Sequence, residues 1–262
     1  FDEIYEEAIG AEMISYRLRE LLHSGKRKLP LISAGCPSIL NLIQIRFPNL
    51  MEHVVDYRPP VEVVASMARR EAERRHPDKK VGIFFIAPCT AKISFIKESD
   101  EVVDSDIDKM IAISDIYKQV LQNLEELKDE EIEDLEKAGM TGLRWPSPGG
   151  ESLSLQTDDF VAVDGIDKVI DIFEKIEDEK LDGLAFVETE ACRGGCFGGS
   201  LTVENSYSAK ANIKPLIDEA KEKYGERTLN LPGEEDELLR NRPLCYRPVL
   251  RLDEDLDVSL KK

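Results

Sequence analysis

The chain has 262 residues, of which 35 are basic and 53 acidic, so its formal net charge is −18. This balance argues against binding to nucleic acids or anionic membrane surfaces, because both partners require clustered lysine and arginine. It is typical of a highly soluble surface. The length is sufficient for one large domain or two lobes with a buried core.

Neither a membrane span nor an export signal is predicted. No apolar run approaches the roughly 20 residues that a bilayer span needs, and no signal peptide opens the chain. We therefore expect a cytoplasmic protein. The chain begins at Phe1 and enters a helical pattern at once, which indicates a fragment of a longer polypeptide.

The first half of the chain shows alternating helical and strand patterns. In order, we predict a helix over 1–25, a strand over 29–35, helices over 38–47 and 59–76, strands over 81–88 and 108–114, and a helix over 115–139.

The second half continues the alternation after a segment, 143–156, with the composition of a loop. We predict a strand over 160–165, a helix over 166–180, a strand over 184–189, a helix over 206–225 interrupted or begun at Pro215, and a surface-wrapping tail over 231–262. Strands that alternate with helices predict an α/β fold with parallel-rich mixed sheets flanked by helices.

The cysteines carry the strongest chemical signal. Five is an odd number in a long chain, so metal binding or catalysis is favoured over a disulfide scaffold. Three predicted strands end in cysteine, at Cys36, Cys89 and Cys192, and Cys196 follows four residues later. Because ligands gather beyond the carboxyl ends of strands in α/β sheets, we expect these four thiols to converge on one centre.

Four thiolates are soft ligands that select zinc or an iron–sulfur cluster. Zinc sites usually combine local cysteine pairs, and here only Cys192 and Cys196 are close in sequence, so the spacing favours a cluster set between lobes. In the same loop, "EACRGGCFGG", Gly194 and Gly195 permit close approach of the backbone to a cluster, and their N–H groups can point at sulfide.

Three alternatives stay open at this point. The cysteines can be small buried hydrophobic residues, as free cysteines often are. Cys192 and Cys196 can form a reversible disulfide. A zinc-stabilised interaction domain is the third alternative, although the long cysteine spacing argues against it.

Three motifs together resemble the catalytic domain of the iron-only ([FeFe]) hydrogenase large subunit, and the resemblance is to a divergent or sensory member. They are "SAGCPSI" at 33–39, "APCTAKI" at 87–93 and "EACRGGCFGG" at 190–199. The opening "FDEIYEEAIGAEM" and the segment "FPNLMEHVVDYRPP" are also similar to that family. The resemblance covers residues 1–205 and implies a single hydrogenase-like domain over 1–262, with two α/β lobes and the metal cluster in the cleft between them.

The resemblance also implies a set of site residues and partners. Cys36, Cys89, Cys192 and Cys196 match the four ligands of a [4Fe–4S] cluster, and Cys196 matches the thiolate that links it to a two-iron site carrying CO and cyanide. Lys92 matches the lysine that hydrogen-bonds to a cyanide, although a surface lysine opening a helix is the plain alternative. The implied partners are H2, protons, and electron-transfer iron–sulfur domains or a ferredoxin, with signalling domains possible on the same polypeptide.

The chain departs from the family pattern where protons are relayed. Gly35 stands where active members carry a cysteine, and glycine cannot hold a proton. A serine position falls on Val55, and a methionine position falls on Glu190, a carboxyl that would prefer to be protonated or turned away beside an anionic cluster. These departures predict slow hydrogen turnover or sensing of H2 or redox state. The alternative is a non-catalytic [4Fe–4S] protein that resembles iron–sulfur assembly factors and lacks the two-iron site.

Overall fold

The computed structural model of the protein describes residues 1–99, 105–126 and 138–225. The helices in these ranges are α1 Glu7–His23, α2 Pro37–Arg46, α3 Pro60–Arg75, α4 Thr90–Ser99, α5 Ile113–Glu126, α6 Met140–Arg144, α7 Gly150–Leu153, α8 Ile166–Glu177 and α9 Ser206–Tyr224, with 3-10 turns at Pro48–His53 and Gly195–Gly198. The strands are β1 Leu31–Ile32, β2 Phe84–Ala87, β3 Lys109–Ala112, β4 Phe160–Asp164 and β5 Phe186–Glu190.

The strands form two separate parallel sheets. The larger sheet has the order β1-β5-β4, with Ile32 opposite Val187 and Val161 opposite the same residue on the other side. The smaller sheet pairs β2 with β3. This arrangement confirms the predicted α/β class with parallel sheets flanked by helices.

Each sheet has its own apolar core. The larger core packs α1, α2 and α8 against β1 and β5 through side chains that are almost fully buried, among them Leu18, Ile39, Phe173 and Phe186. The smaller core joins α3 to β2 through Val61, Ala65 and Phe85. Helix α1 packs on α3 and α6, which ties the two cores together.

The carboxyl ends of three strands lead directly to the predicted ligands. After β1 the chain reaches Cys36, which occupies the position before α2, and Pro37 starts that helix where a missing N–H costs nothing. Strand β2 is followed by Cys89 and then by α4. Strand β5 leads into the loop that carries Cys192 and Cys196.

Two local predictions were wrong. Residues 143–156 were expected to be a loop, but they contain the last two residues of α6 and all of α7. Both are helices of about one turn that pack against α1, α9, β4 and β5. Helices this short show no periodic pattern in the sequence.

Helix α9 also differs from the prediction, because it runs through Pro215. Its start is set by the Asn205 side chain, which accepts the Tyr207 N–H at 2.9 Å. The tail predicted over 231–262 lies outside the described residues.

Candidate metal centre

A cavity of about 320 Å³ lies at the carboxyl ends of strands from both sheets. All four predicted ligands, Cys36, Cys89, Cys192 and Cys196, border it. Lys92 also lines this cavity. Three turns that are far apart in sequence therefore bring their thiols to one space.

The four thiols are free cysteines, so a Cys192–Cys196 disulfide is absent from the described structure. Burial, reinforced by repulsion between neighbouring thiolates, raises the pKa of Cys36 and Cys192. The same cause raises the pKa of Cys196 to about 12, although Lys92 acts in the opposite direction. The thiols thus influence one another electrostatically across the cavity.

The loop that carries Cys192 and Cys196 is fixed by backbone contacts. Gly194 and Gly195 have φ of +83° and +68°, which glycine adopts without strain. The Gly194 N–H donates to Asp164 Oδ2 at 2.6 Å, and the Gly195 N–H donates to the Cys192 carbonyl at 3.1 Å. Both N–H groups therefore have acceptors within the protein, and of the two glycines only Gly195 lines the cavity.

The loop is also anchored to the neighbouring turns. The Cys196 N–H donates to the Pro146 carbonyl at 3.0 Å, and the Leu201 N–H donates to the Pro88 carbonyl at 2.9 Å. A Cβ at Gly195 would lie 2.7 Å from both the Pro146 oxygen and Glu190 Oε2, so only glycine fits there. These contacts fix the positions of Cys89 and Cys196 relative to each other.

Lys92 is a buried cation with a carboxylate partner. Its side chain is 11% exposed, and its Nζ lies 2.9 Å from Glu7 Oε1 and 5.6 Å from the Phe85 ring centre. Burial works against its charge, but Glu7 and the Cys196 and Cys89 thiolates outweigh burial and raise the pKa of Lys92. The surface-lysine alternative is therefore wrong, and the ammonium faces both the cavity and Glu7.

Three glutamates line the cavity, and none of them was predicted from the sequence to be a site residue. Glu151 and Glu188 are buried, and burial raises the pKa of Glu151 to about 8. Glu190 was noted only as a replaced methionine; burial, aided by the charges of Glu188 and Glu151, raises its pKa to about 9. Its Oε2 has no hydrogen-bond partner among the described residues. Glu190 is therefore neutral at pH 7, and burial is the main cause.

Trp145 and Gly35 complete one side of the cavity. The Trp145 Nε1–H donates to Ser15 Oγ at 2.7 Å, which fixes the ring against α1. A Cβ at Gly35 would come no closer than 3.7 Å to Ser33 Oγ and to Trp145 Cζ3. Space for a side chain thus exists at Gly35.

The donor set distinguishes a cluster from a single ion. Within residues 1–99, 105–126 and 138–225, no group of three or more His, Cys, Asp or Glu side chains is arranged around one metal ion. A zinc ion would need its sulfurs about 2.3 Å from a single point. Four soft ligands around a cavity fit an iron–sulfur cluster instead, and the buried ammonium of Lys92 suits an anionic group next to it.

Fold and site together define an α/β protein with an iron–sulfur type of centre. A sequence profile of the family described as iron only hydrogenase large subunit, C-terminal domain, matches residues 1–157 and 125–200. The chain belongs to this family, as its motifs predicted. No curated protein sequence matches the chain. None of the described helices is long and apolar enough to cross a bilayer.

Solved structures of similar fold are hydrogenases. A single-residue variant of [FeFe]-hydrogenase HydA1 from Chlamydomonas reinhardtii has a TM-score of 0.64 at 18% identity, over 92% of this chain and 84% of the other. A HydA(deltaEFG) structure, described as revealing stepwise H-cluster assembly, has a TM-score of 0.62 at the same identity and coverage. At an identity of 18%, these TM-scores show that the chain shares the fold of the two structures.

The Asp164 carboxylate is expected to be important for holding the cysteine loop. The substitution Asp164→Ala removes the acceptor of the Gly194 N–H, so the loop loses the contact that orients Cys192 and Cys196. We expect a reconstituted iron–sulfur cluster to be lost to a chelator several-fold faster, as followed by visible absorbance. Asp167→Ala is the matched control, since Asp167 forms an exposed ion pair with Arg193 of the same loop at 3.4 Å. Equal loss rates for the two variants would contradict this role.

Proposed function

We propose that the chain binds a [4Fe–4S] cluster through Cys36, Cys89, Cys192 and Cys196. The observation that carries this proposal is the convergence of four free thiols from three distant turns on one cavity. The thiols are soft ligands, and the loop holding two of them is fixed by hydrogen bonds to Asp164 and Pro146. When bound, such a cluster supplies one-electron exchange.

We further propose that the domain oxidises H2 or reduces protons slowly, or reports H2 or redox state to attached signalling modules. In this proposal Cys196 links the cluster to a two-iron site, and Lys92 offers its ammonium to a cyanide of that site. Glu190, neutral at pH 7, adds no charge beside these anionic groups. Gly35 offers no proton carrier, which accounts for low turnover. Electrons would come from iron–sulfur domains or a ferredoxin in the cytoplasm.

A second candidate is a non-catalytic [4Fe–4S] protein without the two-iron site. One observation favours it: Lys92 is already paired with Glu7, so its charge does not require a cyanide. Both candidates share the four cysteine ligands and differ in what occupies the rest of the cavity.

Infrared spectroscopy separates the two candidates. The protein is first reconstituted with iron and sulfide and tested for a [4Fe–4S] signal by electron paramagnetic resonance. It is then treated with the hydrogenase maturation proteins, and bands of iron-bound CO and cyanide are sought. Such bands support the hydrogenase candidate, and their absence in cluster-loaded protein supports the non-catalytic one. Protein that retains no cluster at all contradicts both.

Restoring a cysteine at the relay position is a further test of the hydrogenase candidate. The Gly35→Cys side chain fits, because its Cβ would make only ordinary contacts. We expect H2 turnover to rise by about two orders of magnitude or more, the usual contribution of a positioned proton carrier. The matched control is Gly35→Ala, which fills the same space without a thiol. Equal turnover in both variants, in samples shown to carry the two-iron site, would contradict the account of a broken relay.

A further inference from the structure

Next to the cavity lies a carboxyl pair that neither the motifs nor the proposed function uses. Glu188 is the third residue of β5, and Glu151 is the second residue of α7. Glu188 is 2% exposed and Glu151 5% exposed, and both border the cavity. Two carboxyl groups buried side by side cannot both ionise without a large cost, so they share protons.

The sheet register sets the position of the pair. Strand β1 pairs with β5 so that Ile32 lies opposite Val187, and the Ser33 N–H donates to the Val187 carbonyl at 3.0 Å. Ser33 therefore sits beside Glu188 in the next register position. Its hydroxyl donates to Glu151 Oε2 at 2.5 Å and accepts the Gly35 N–H at 3.3 Å. Ser33 thus connects Glu151 to the turn that carries Cys36.

The two carboxyls have unequal hydrogen-bond environments. Glu188 accepts three hydrogen bonds: from the Gly149 N–H at 2.8 Å, from the Ser152 N–H at 2.8 Å and from the Ser152 hydroxyl at 2.7 Å. Donors of this kind favour the ionised form. Glu151 receives the one bond from Ser33. Glu151 is therefore the protonated member of the pair and Glu188 the carboxylate.

Other ionisable groups around the pair are mostly acidic. They are Glu190 of β5, Asp164 of β4, Glu7 of α1, Lys92 of α4, the cavity thiols, and Arg19 of α1, which donates to the Ser154 carbonyl after α7. Lys92 is held by Glu7. Few positive charges near the pair can therefore balance an extra negative charge in the cavity. Uptake of a proton by Glu188 would neutralise that charge.

We propose that Glu151 and Glu188 form a proton-accepting pair that takes up one proton when a cluster in the cavity gains one electron. This inference rests on the proposed function. The electron comes from the electron-transfer partner, and the proton comes from bulk solvent, where an O–H bond of a hydronium ion breaks. One O–H bond forms on a carboxylate oxygen, and the net charge of the cavity stays constant. The pair thus provides, beside the cavity, the proton-binding group that Gly35 lacks.

The pair itself is tested in cluster-free protein. Infrared spectra across pH, in H2O and D2O, report the carbonyl stretch of protonated carboxyl groups. We expect Glu151→Gln to remove one protonated component. Glu188→Gln should shift that component's titration to lower pH, because a repelling charge is gone, and Ser33→Ala should shift it to higher pH, because a stabilising donor is gone. The control Glu62→Gln changes a buried carboxyl outside the cavity and should leave the component unchanged. Absence of either the loss or the Glu188→Gln shift overturns the pair.

The coupling is tested in cluster-reconstituted protein by the midpoint potential, followed by electron paramagnetic resonance between pH 6 and 9. We expect the wild-type potential to fall with rising pH, by up to about 59 mV per unit, the tenfold step for a one-electron couple. The slope should persist in Glu62→Gln and disappear in the double variant Glu151→Gln/Glu188→Gln. A flat wild-type profile, or an unchanged slope in the double variant, overturns the coupling. If neither the wild type nor any variant retains a cluster while the pair titrates normally, the proposed function fails, and the coupling fails with it.

Discussion

The substitution Cys196→Ser is expected to abolish binding of a [4Fe–4S] cluster. Cys196 borders the cavity, and its N–H is anchored to Pro146, so no other described cysteine can replace its thiol without moving the loop. Serine keeps the size of the side chain but offers a hard oxygen in place of a soft sulfur. After anaerobic reconstitution, we expect wild-type protein to hold about four iron atoms per chain and the variant several-fold less.

The matched control is Cys245→Ser. Cys245 belongs to none of the three motifs and lies outside the described residues. Its replacement is expected to leave iron content and the visible spectrum unchanged. Equal iron content in wild type and Cys196→Ser would contradict the ligand assignment, and loss of iron in Cys245→Ser would show that the set of four is incomplete.

The second large effect concerns the buried ion pair. Glu7→Gln leaves the Lys92 ammonium without its carboxylate partner. We expect the free energy of unfolding to fall by about 1–3 kcal/mol, less than the 3–5 kcal/mol of a fully buried pair, because the Glu7 side chain keeps 34% of its exposure. A bound anionic cluster near Lys92 would supply the missing negative charge. The loss is therefore expected to be smaller in cluster-loaded protein than in cluster-free protein.

Denaturant unfolding of both forms measures this difference. Glu174→Gln is the control, since Glu174 pairs with Arg46 at 2.5 Å with both side chains 50% exposed, where ion pairs contribute little. Its effect should be small and independent of the cluster. If the loss in Glu7→Gln is the same with and without the cluster, Lys92 does not interact with the cluster's charge.

The four candidate ligands could be proposed from the sequence because each part of the pattern is local. The turns around Cys36, Cys89 and Cys192 each follow a short apolar strand, and a strand that ends before a Pro or Gly turn leaves a clear pattern over a few residues. Parallel strands place such turns at one edge of a sheet. The α/β class was predicted from the same alternation of strands and helices, and the structure confirms it.

The environment of the ligands could not be read in this way. Glu151 lies in a segment with loop composition, and only the packing of α7 against β5 makes it a buried neighbour of Glu188. Lys92 and Glu7 are 85 residues apart, and nothing in either local sequence indicates that they pair. The Asp164 carboxylate that accepts the Gly194 N–H is likewise contributed by a strand end that is distant in sequence.

The sequence by itself determined which side chains are candidate metal ligands and which fold class brings them together, because ligand chemistry and strand periodicity are properties of short segments. Only the tertiary structure decided which carboxyls are buried, which cation is paired and how many donors each acid has. Those properties depend on loss of solvent and on contacts between residues far apart in the chain, and a buried charge takes its protonation state from that full set of neighbours.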